Sequence, residues 1–440
     1  MRYPDEHSRS RSLFARAQQY LPGGNTRTTV YMRPYPIYAA RGSGCRVWDV
    51  DGVPRIDCIN NFTSQIHGYA HPVITAAIRE QAECGTAFGL PTASEIDLAR
   101  LICERTESIE TIRFTNSGTE AVMMALKAAR AYTGRPKIAK VEGAYHGSYD
   151  YSEVSLDSTP ANWGDRQPVS VAYAAGTPRG VTDDVIVLPF NDPETARAMI
   201  EAHGRDLAGV LVDPMPNRAG LVPATAEYMA ALRDACTTVG ALLIVDEIIV
   251  FRLGMKGAQP CWGIQADLTT LGKIIGGGFP VGAVGGRRDV MRVFDPSRGK
   301  PALPHGGTFS ANPMSMRAGL AAMQLLDPTA FDRLGRIGTA VRDGIEASLE
   351  RHGVAGTVVG RGSLLKVHFT SRPVRDYRSA FPTPDEARRL ALFNRGLLNR
   401  GILAAGYGLM ALSTPMTDAD IEEILRAADG AVADVAAVSS

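Results

Sequence analysis

The 440-residue chain carries 47 basic and 46 acidic side chains, a formal net charge of +1, and is 45% hydrophobic. A chain of this length buries a large core and divides into two or three structural units. The near-balanced charge gives no footprint for nucleic acid or an anionic membrane, and leaves small-molecule chemistry as the better fit. The cysteines at 45, 58, 84, 103, 236 and 261 form no C-x-x-C pair and have no histidine at metal-ligand spacing, so they read as reduced thiols and no metal is expected. The first eleven residues are polar where a signal peptide needs an apolar run, which makes a cytoplasmic location the default expectation.

In chain order, residues 13–21 predict a short amphipathic helix that Pro22-Gly23-Gly24 stops. Residues 46–52 alternate and end on Asp51-Gly52, a turn pair that favours positive φ, and predict a hairpin. Helical stretches at 73–83, 95–105, 120–132, 193–203 and 225–238 then alternate with runs rich in β-branched residues at 112–114, 137–141, 185–190, 209–212, 242–245 and 268–271. That order predicts an α/β fold with a mostly parallel sheet covered on both faces, and ligands at the carboxyl ends of its strands. Beyond Met314, helices at 316–326, 331–351, 384–400 and 418–432 with a strand at 364–369 describe a smaller α/β unit. The chain therefore divides into an arm and hairpin (1–60), a large domain (61–315) and a small domain (316–440). Residues 152–182, rich in Pro, Gly, Ser and Asp, read as a long loop of the kind that serves as a lid or a dimer contact.

Three stretches carry chemistry. Asp246 ends the apolar run 242–245 and Lys273 ends the run 268–271, so the two can converge at the sheet edge. Pyridoxal phosphate (PLP) needs such a pair: an amine to form a Schiff base with its aldehyde and a carboxylate against its ring nitrogen. A structural salt bridge explains the same residues, but a lysine ending a buried run is costly to desolvate. A P-loop is excluded, because Asp267 stands where its first glycine is required and Ile274 where Ser or Thr must bind magnesium. Ser117, Gly118 and Thr119 open the helix at 120–132 and can present hydroxyls and backbone N–H groups to a phosphate, or act as an ordinary helix cap. Tyr145 and His146 lie between two glycines after another strand, where an aromatic ring can stack on a flat cofactor.

Together, Asn116-Ser117-Gly118-Thr119-Glu120-Ala121, Tyr145-His146-Gly147, Asp246-Glu247, Leu271-Gly272-Lys273 with Gly276-Gly277-Gly278, and Gly307-Thr308-Phe309-Ser310-Ala311-Asn312-Pro313 resemble the class III aminotransferases. Tyr20-Leu21-Pro22-Gly23-Gly24-Asn25, residues 47–52 and Gly68-Tyr69-Ala70-His71-Pro72 are similar to the glutamate-1-semialdehyde 2,1-aminomutase-like branch, which includes β-amino-acid transaminases. The resemblance implies PLP as cofactor and a fold-type I enzyme, with a mostly parallel seven-stranded sheet between helices, built as a homodimer with shared active sites. By position it implies that Lys273 bonds the cofactor, Asp246 pairs with the ring nitrogen, and Tyr145 and Ile248 cover the two ring faces. His146 and Asp213 fall beside the ring, Asp213 where the family has glutamate. Ser117, Gly118 and Thr119 would hold the phosphate, joined by Thr308 of a second subunit. Arg27 falls where relatives bind the substrate carboxylate, and Phe62 and Tyr407 fall in the same pocket.

Four chemistries remain open at this point: transamination between an amino donor and an oxo acid, aminomutation of glutamate-1-semialdehyde, racemisation or decarboxylation on the same cofactor, and a non-catalytic regulatory role. Residues 406–413 lack the glutamate that aminomutases carry, with Gly408 nearest its place, which favours transamination. Tyr407 stands where some β-amino-acid transaminases have arginine, which argues against a dicarboxylate in that pocket and for an apolar or aromatic β-amino acid.

Overall fold

The computed structural model describes residues 3–439. The first helix spans Arg9–Ala17, earlier than the hydrophobic spacing predicts, because the Ser8 hydroxyl caps it by accepting from Ser10 N. The predicted hairpin forms between Arg46–Asp49 and Pro54–Asp57, with Gly52 N closing the turn on Asp49 O at 3.0 Å. Ala39–Ser43 pairs on its outer side, and Ile402–Leu403 adds a parallel strand that ties this sheet to the C-terminal part of the chain.

The central sheet has seven strands in the spatial order Thr111–Thr115, Gly282–Gly286, Leu268–Gly272, Leu242–Asp246, Leu207–Val212, Lys137–Val141, Val185–Leu188. Gly282–Gly286 runs antiparallel to both neighbours and the other pairs are parallel. Every residue of Leu242–Asp246, Leu268–Gly272 and Leu207–Val212 is buried, which is why these strands read as continuous apolar runs rather than as alternation. Gly282–Gly286 escaped the pattern because glycine has low β propensity. Its glycines answer to space instead: a Cβ on Gly282 would lie 2.0 Å from Ser117 O, and one on Gly286 2.2 Å from Asp267 O.

Helices cover both faces. Gly118–Thr133 buries Val122, Ala125, Leu126 and Ala129 against one side, while Ala226–Val239 buries Tyr228, Leu232 and Ala235 against the other. The C-terminal part packs Pro328–Arg351, Pro384–Asn399 and Asp418–Ser439 around a three-stranded sheet of Thr357–Arg361, Leu364–His368 and Leu409–Ala411. Thr357–Arg361 was missed as a strand, and the last helix runs beyond the predicted 432.

The segment 152–182 is pinned within the chain. Tyr377 Oη donates to Ser158 O at 2.6 Å, and Arg378 donates to Trp163 O at 2.7 Å with its guanidinium 5.1 Å from the Trp163 ring centre. No helix among the described residues is long and apolar enough to cross a membrane.

Candidate active site

Parallel strands deliver their carboxyl ends to one edge, and three polar residues arrive there together. Asp246 closes its strand, Asp213 follows Leu207–Val212, and Lys273 follows Leu268–Gly272; the pairing of Asp246 with Thr270 sets the depth of the acid relative to the lysine. They line a cavity of about 600 Å³ with Ser117, Gly118, Thr119, Tyr145, His146, Ile248, Arg27 and Phe62. The two strand ends therefore converge as the sequence reading expects, and no Lys273–Asp246 salt bridge forms within hydrogen-bond distance.

Asp246 is fixed on both oxygens. One accepts from Thr270 Oγ1 at 2.9 Å and Ile248 N at 3.1 Å, and the other meets His146 Nδ1 at 2.7 Å. Burial lowers the His146 pKa, opposed by its bond to Asp246. Its Nε2 is buried without a partner. Burial likewise lowers the Lys273 pKa, with the charges of Asp246 and Asp213 opposing it. Asp213 is pushed well above the usual carboxylate range by burial and then by the nearby Asp246 charge. A lysine whose amine is made easier to deprotonate by burial, beside acids rather than paired to one of them, suits nucleophilic and proton-moving work better than a static ion pair.

The segment 117–119 forms the helix cap that the sequence allows. Ser117 Oγ accepts from Glu120 N at 3.2 Å and caps Gly118–Thr133, leaving its own hydroxyl proton free to donate. Gly118 packs close to Ile248, whose Cδ1 would lie 2.8 Å from a Cβ placed there. Thr119 Oγ1 accepts from Ser148 N at 3.2 Å, linking the cap to the segment after Tyr145-His146-Gly147.

Arg27 reaches the same cavity from the N-terminal arm. Its Nη1 donates to Asn61 Oδ1 at 2.9 Å, and the guanidinium lies 4.9 Å from the Phe62 ring centre. Asn60, Asn61, Phe62 and Thr63 all have positive φ, between 47° and 76°, a run that non-glycine residues rarely adopt. Asn60 Nδ2 holds the turn by donating to Ala411 O at 2.6 Å and to Asp57 O at 3.0 Å, and Arg252 Nη1 donates to Thr63 O at 3.1 Å. Lys273 also has positive φ, at 52°, so strained backbone is concentrated around this cavity.

Two predicted residues lie elsewhere. Thr308 lines a different cavity of about 800 Å³ with Phe88, Leu90 and His305. Tyr407 lines a neighbouring cavity, its hydroxyl held at 3.3 Å by Asn217 Nδ2. Burial raises its phenol pKa, opposed by the hydrogen bond with Asn217 and by the charges of Arg218 and Arg27. The sequence reading overlooked Thr270, whose signal was a hydroxyl in an otherwise apolar strand, and Asn61, hidden in a turn that propensity does not predict.

The residues present fit PLP. The Tyr145 ring is 43% exposed on the cavity wall, where a flat ring would cover it. The buried His146 Nε2 and the Lys273 amine, which has no hydrogen-bond partner among the described residues, both await one. The Gly118 cradle leaves backbone N–H groups open at a helix N-terminus.

Comparison with known proteins agrees with this geometry. Residues 29–429 match the family model described as aminotransferase class-III. The chain is 41% identical over 427 residues to a β-phenylalanine transaminase from Variovorax paradoxus, covering 97% of this chain and 93% of the relative. It is 40% identical over 426 residues to a glutamate-1-semialdehyde 2,1-aminomutase from Brevibacillus brevis, covering 95% and 97%. An omega-transaminase structure from Sphaerobacter thermophilus superposes with a TM-score of 0.96 at 49% identity, covering 98% of this chain and 99% of that one. The chain belongs to the class III aminotransferases, the PLP-dependent family with the fold-type I architecture.

Proposed function

We propose that this aminotransferase moves the amino group of a β-amino acid with an apolar or aromatic substituent to an oxo acid, with Arg27 holding the donor carboxylate. The observation that carries the substrate assignment is the Arg27–Phe62 pair on the wall of the Lys273 cavity. A planar guanidinium seated on an aromatic ring, with one N–H on Asn61 and the others without a partner among the described residues, suits a bidentate carboxylate. Its similarity to a β-phenylalanine transaminase supports the same donor class.

When bound, PLP supplies an electron sink that weakens bonds at the amine-bearing carbon. Lys273 would hold the cofactor through its aldehyde, and its Nζ would take up and return the proton of the substrate carbon. Asp246, held by Thr270, Ile248 N and His146, would keep the proton on the ring nitrogen. Ser117, Gly118 and Thr119 would bind the phosphate, and Tyr145 and Ile248 would confine the ring. Arg27 orients the substrate so that the carbon–hydrogen bond to be broken faces Lys273.

A homodimer belongs to the same reading. Thr308 lies outside the Lys273 cavity of its own chain, which supports its delivery to a second subunit's phosphate. The division at 60 and 315 is likewise proposed, with the small domain contributing Tyr407 beside the cavity.

Glutamate-1-semialdehyde aminomutation is the alternative favoured by several relatives. Gly408 argues against it. Its φ is 88° and a Cβ there would lie 2.7 Å from Val367 O, so a glutamate at this position would be strained and crowded. A panel of α- and β-amino acids with pyruvate or 2-oxoglutarate as acceptor tests the proposal. Oxo-acid formation from aromatic β-amino acids is expected, whereas turnover confined to glutamate-1-semialdehyde would contradict it.

A further inference from the structure

A second lysine is buried next to the active site with nothing to neutralise it. On the strand Leu364–His368, Leu365 and Val367 face the core between the long helices. The alternate residues Leu364, Lys366 and His368 face the loop 217–220. Lys366 is 8% exposed, and its Nζ donates to Asn217 O at 2.9 Å and lies 5.4 Å from the Tyr407 ring centre. It has no acidic partner among the described residues.

Lys366 lines a cavity of about 320 Å³ that also contains Arg218, Arg372, Phe369, Phe381 and Tyr407. The acids on its wall are already committed, Asp157 to Arg218 at 2.9 Å and Glu386 to Arg372 at 2.8 Å. His368 is held neutral, its pKa lowered to about 4 by burial. Lys366 is therefore the unmatched charge of the cavity. Asn217 is unsatisfied too, since its Oδ1 is buried without a partner while its Nδ2 holds Tyr407. Burying an ammonium against a single neutral carbonyl is unfavourable unless an anion completes the site. Burial and Arg218 lower the Lys366 pKa to about 7, as expected of a cation left without that anion.

We infer that this cavity is a second carboxylate-binding site, in which Lys366 and Arg218 receive a carboxylate carried on a short apolar chain. Phe369, Phe381 and Leu390 supply the apolar wall. Tyr407 lines the same cavity, close enough to Arg27 for that charge to act on its hydroxyl. The carboxylate can come from the far end of a dicarboxylic oxo acid seated at Lys273, or from a separate small acid. In the first case Lys366 supplies, from a neighbouring strand, the cation that Tyr407 replaces, and so reopens the dicarboxylate acceptor that the sequence argued against. It rests on the aminotransferase reading; the second does not.

The test is steady-state transamination by the holoenzyme with one amino donor, comparing wild type, Lys366→Met and Lys366→Arg. For a substrate's far end, Lys366→Met raises KM for 2-oxoglutarate at least tenfold, leaves KM for pyruvate within twofold, and Lys366→Arg restores most of the loss. For a separate acid, both acceptors keep their KM, but inhibition by hexanoate that is noncompetitive against both substrates disappears in Lys366→Met. Arg218→Gln, at a half-exposed position that should not disturb folding, moves the same contrast in the same direction by about threefold. Equal changes for both acceptors, or no change together with unaltered hexanoate inhibition, would overturn the inference. That failure is distinct from failure of the donor assignment, which Arg27→Met reports through the KM of the amino acid.

Discussion

Lys273, partly buried just after a strand, and Lys366, buried within one, have surroundings that assign them different work. Lys273 follows its strand with positive φ, and two buried carboxylates, Asp246 and Asp213, oppose the effect of burial on its amine. Lys366 sits mid-strand in regular structure with one carbonyl and an aromatic ring. The contrast teaches that burial alone does not mark a catalytic lysine, since Lys140 is also buried, bonded to two backbone carbonyls. What distinguishes Lys273 is its convergence with acids, a helix N-terminus and an exposed aromatic ring on one cavity.

Four substitutions break or sharpen that contrast. Lys273→Ala should lower kcat by about 10³-fold or more, since it removes both nucleophile and proton carrier; single-turnover absorbance measures this, and a loss under tenfold would move the chemistry elsewhere. Asp246→Asn, which removes the charge but keeps the size, should cost on the order of 10²-fold in kcat. Arg27→Met should lower kcat/KM for the amino donor by about 10- to 100-fold, the worth of a charged hydrogen-bonded pair, mostly through KM. Lys366→Met should leave pyruvate turnover intact and alter stability instead.

The sign of that last effect follows from linkage. The Lys366 pKa is about 7 when folded, against an unfolded value of 10.5. Between those values the unfolded chain holds a proton that the folded chain has released, so this lysine makes stability rise with pH across the window. Urea unfolding of the ligand-free enzyme should show a smaller rise from neutral to alkaline pH in Lys366→Met than in wild type. An identical slope would mean that the amine stays charged when buried.

The fold was largely legible because parallel strands buried on both faces announce themselves as apolar runs, and helices between them as 3.6-residue periods. Gly282–Gly286 was not legible, since its residues are chosen for close approach to Ser117 and Asp267, a constraint that lives in three dimensions. Of the residues proposed to hold the cofactor, Asp246 stood out because it closes a strand, Lys273 because it follows one, and Ser117 because it caps a helix. The substrate side was readable only in part. Asn61 and Phe62 are placed by a left-handed turn that local preference opposes, and Lys366 reads as an ordinary strand lysine until Asn217 and Tyr407 are packed over it.

The most direct test is to reduce the holoenzyme with borohydride, digest it and locate the retained cofactor by mass spectrometry. The account predicts the added mass on the peptide containing Lys273, with Lys140 and Lys366 unmodified. Recovery of the cofactor on either of those lysines, or an active enzyme that retains none, would contradict it.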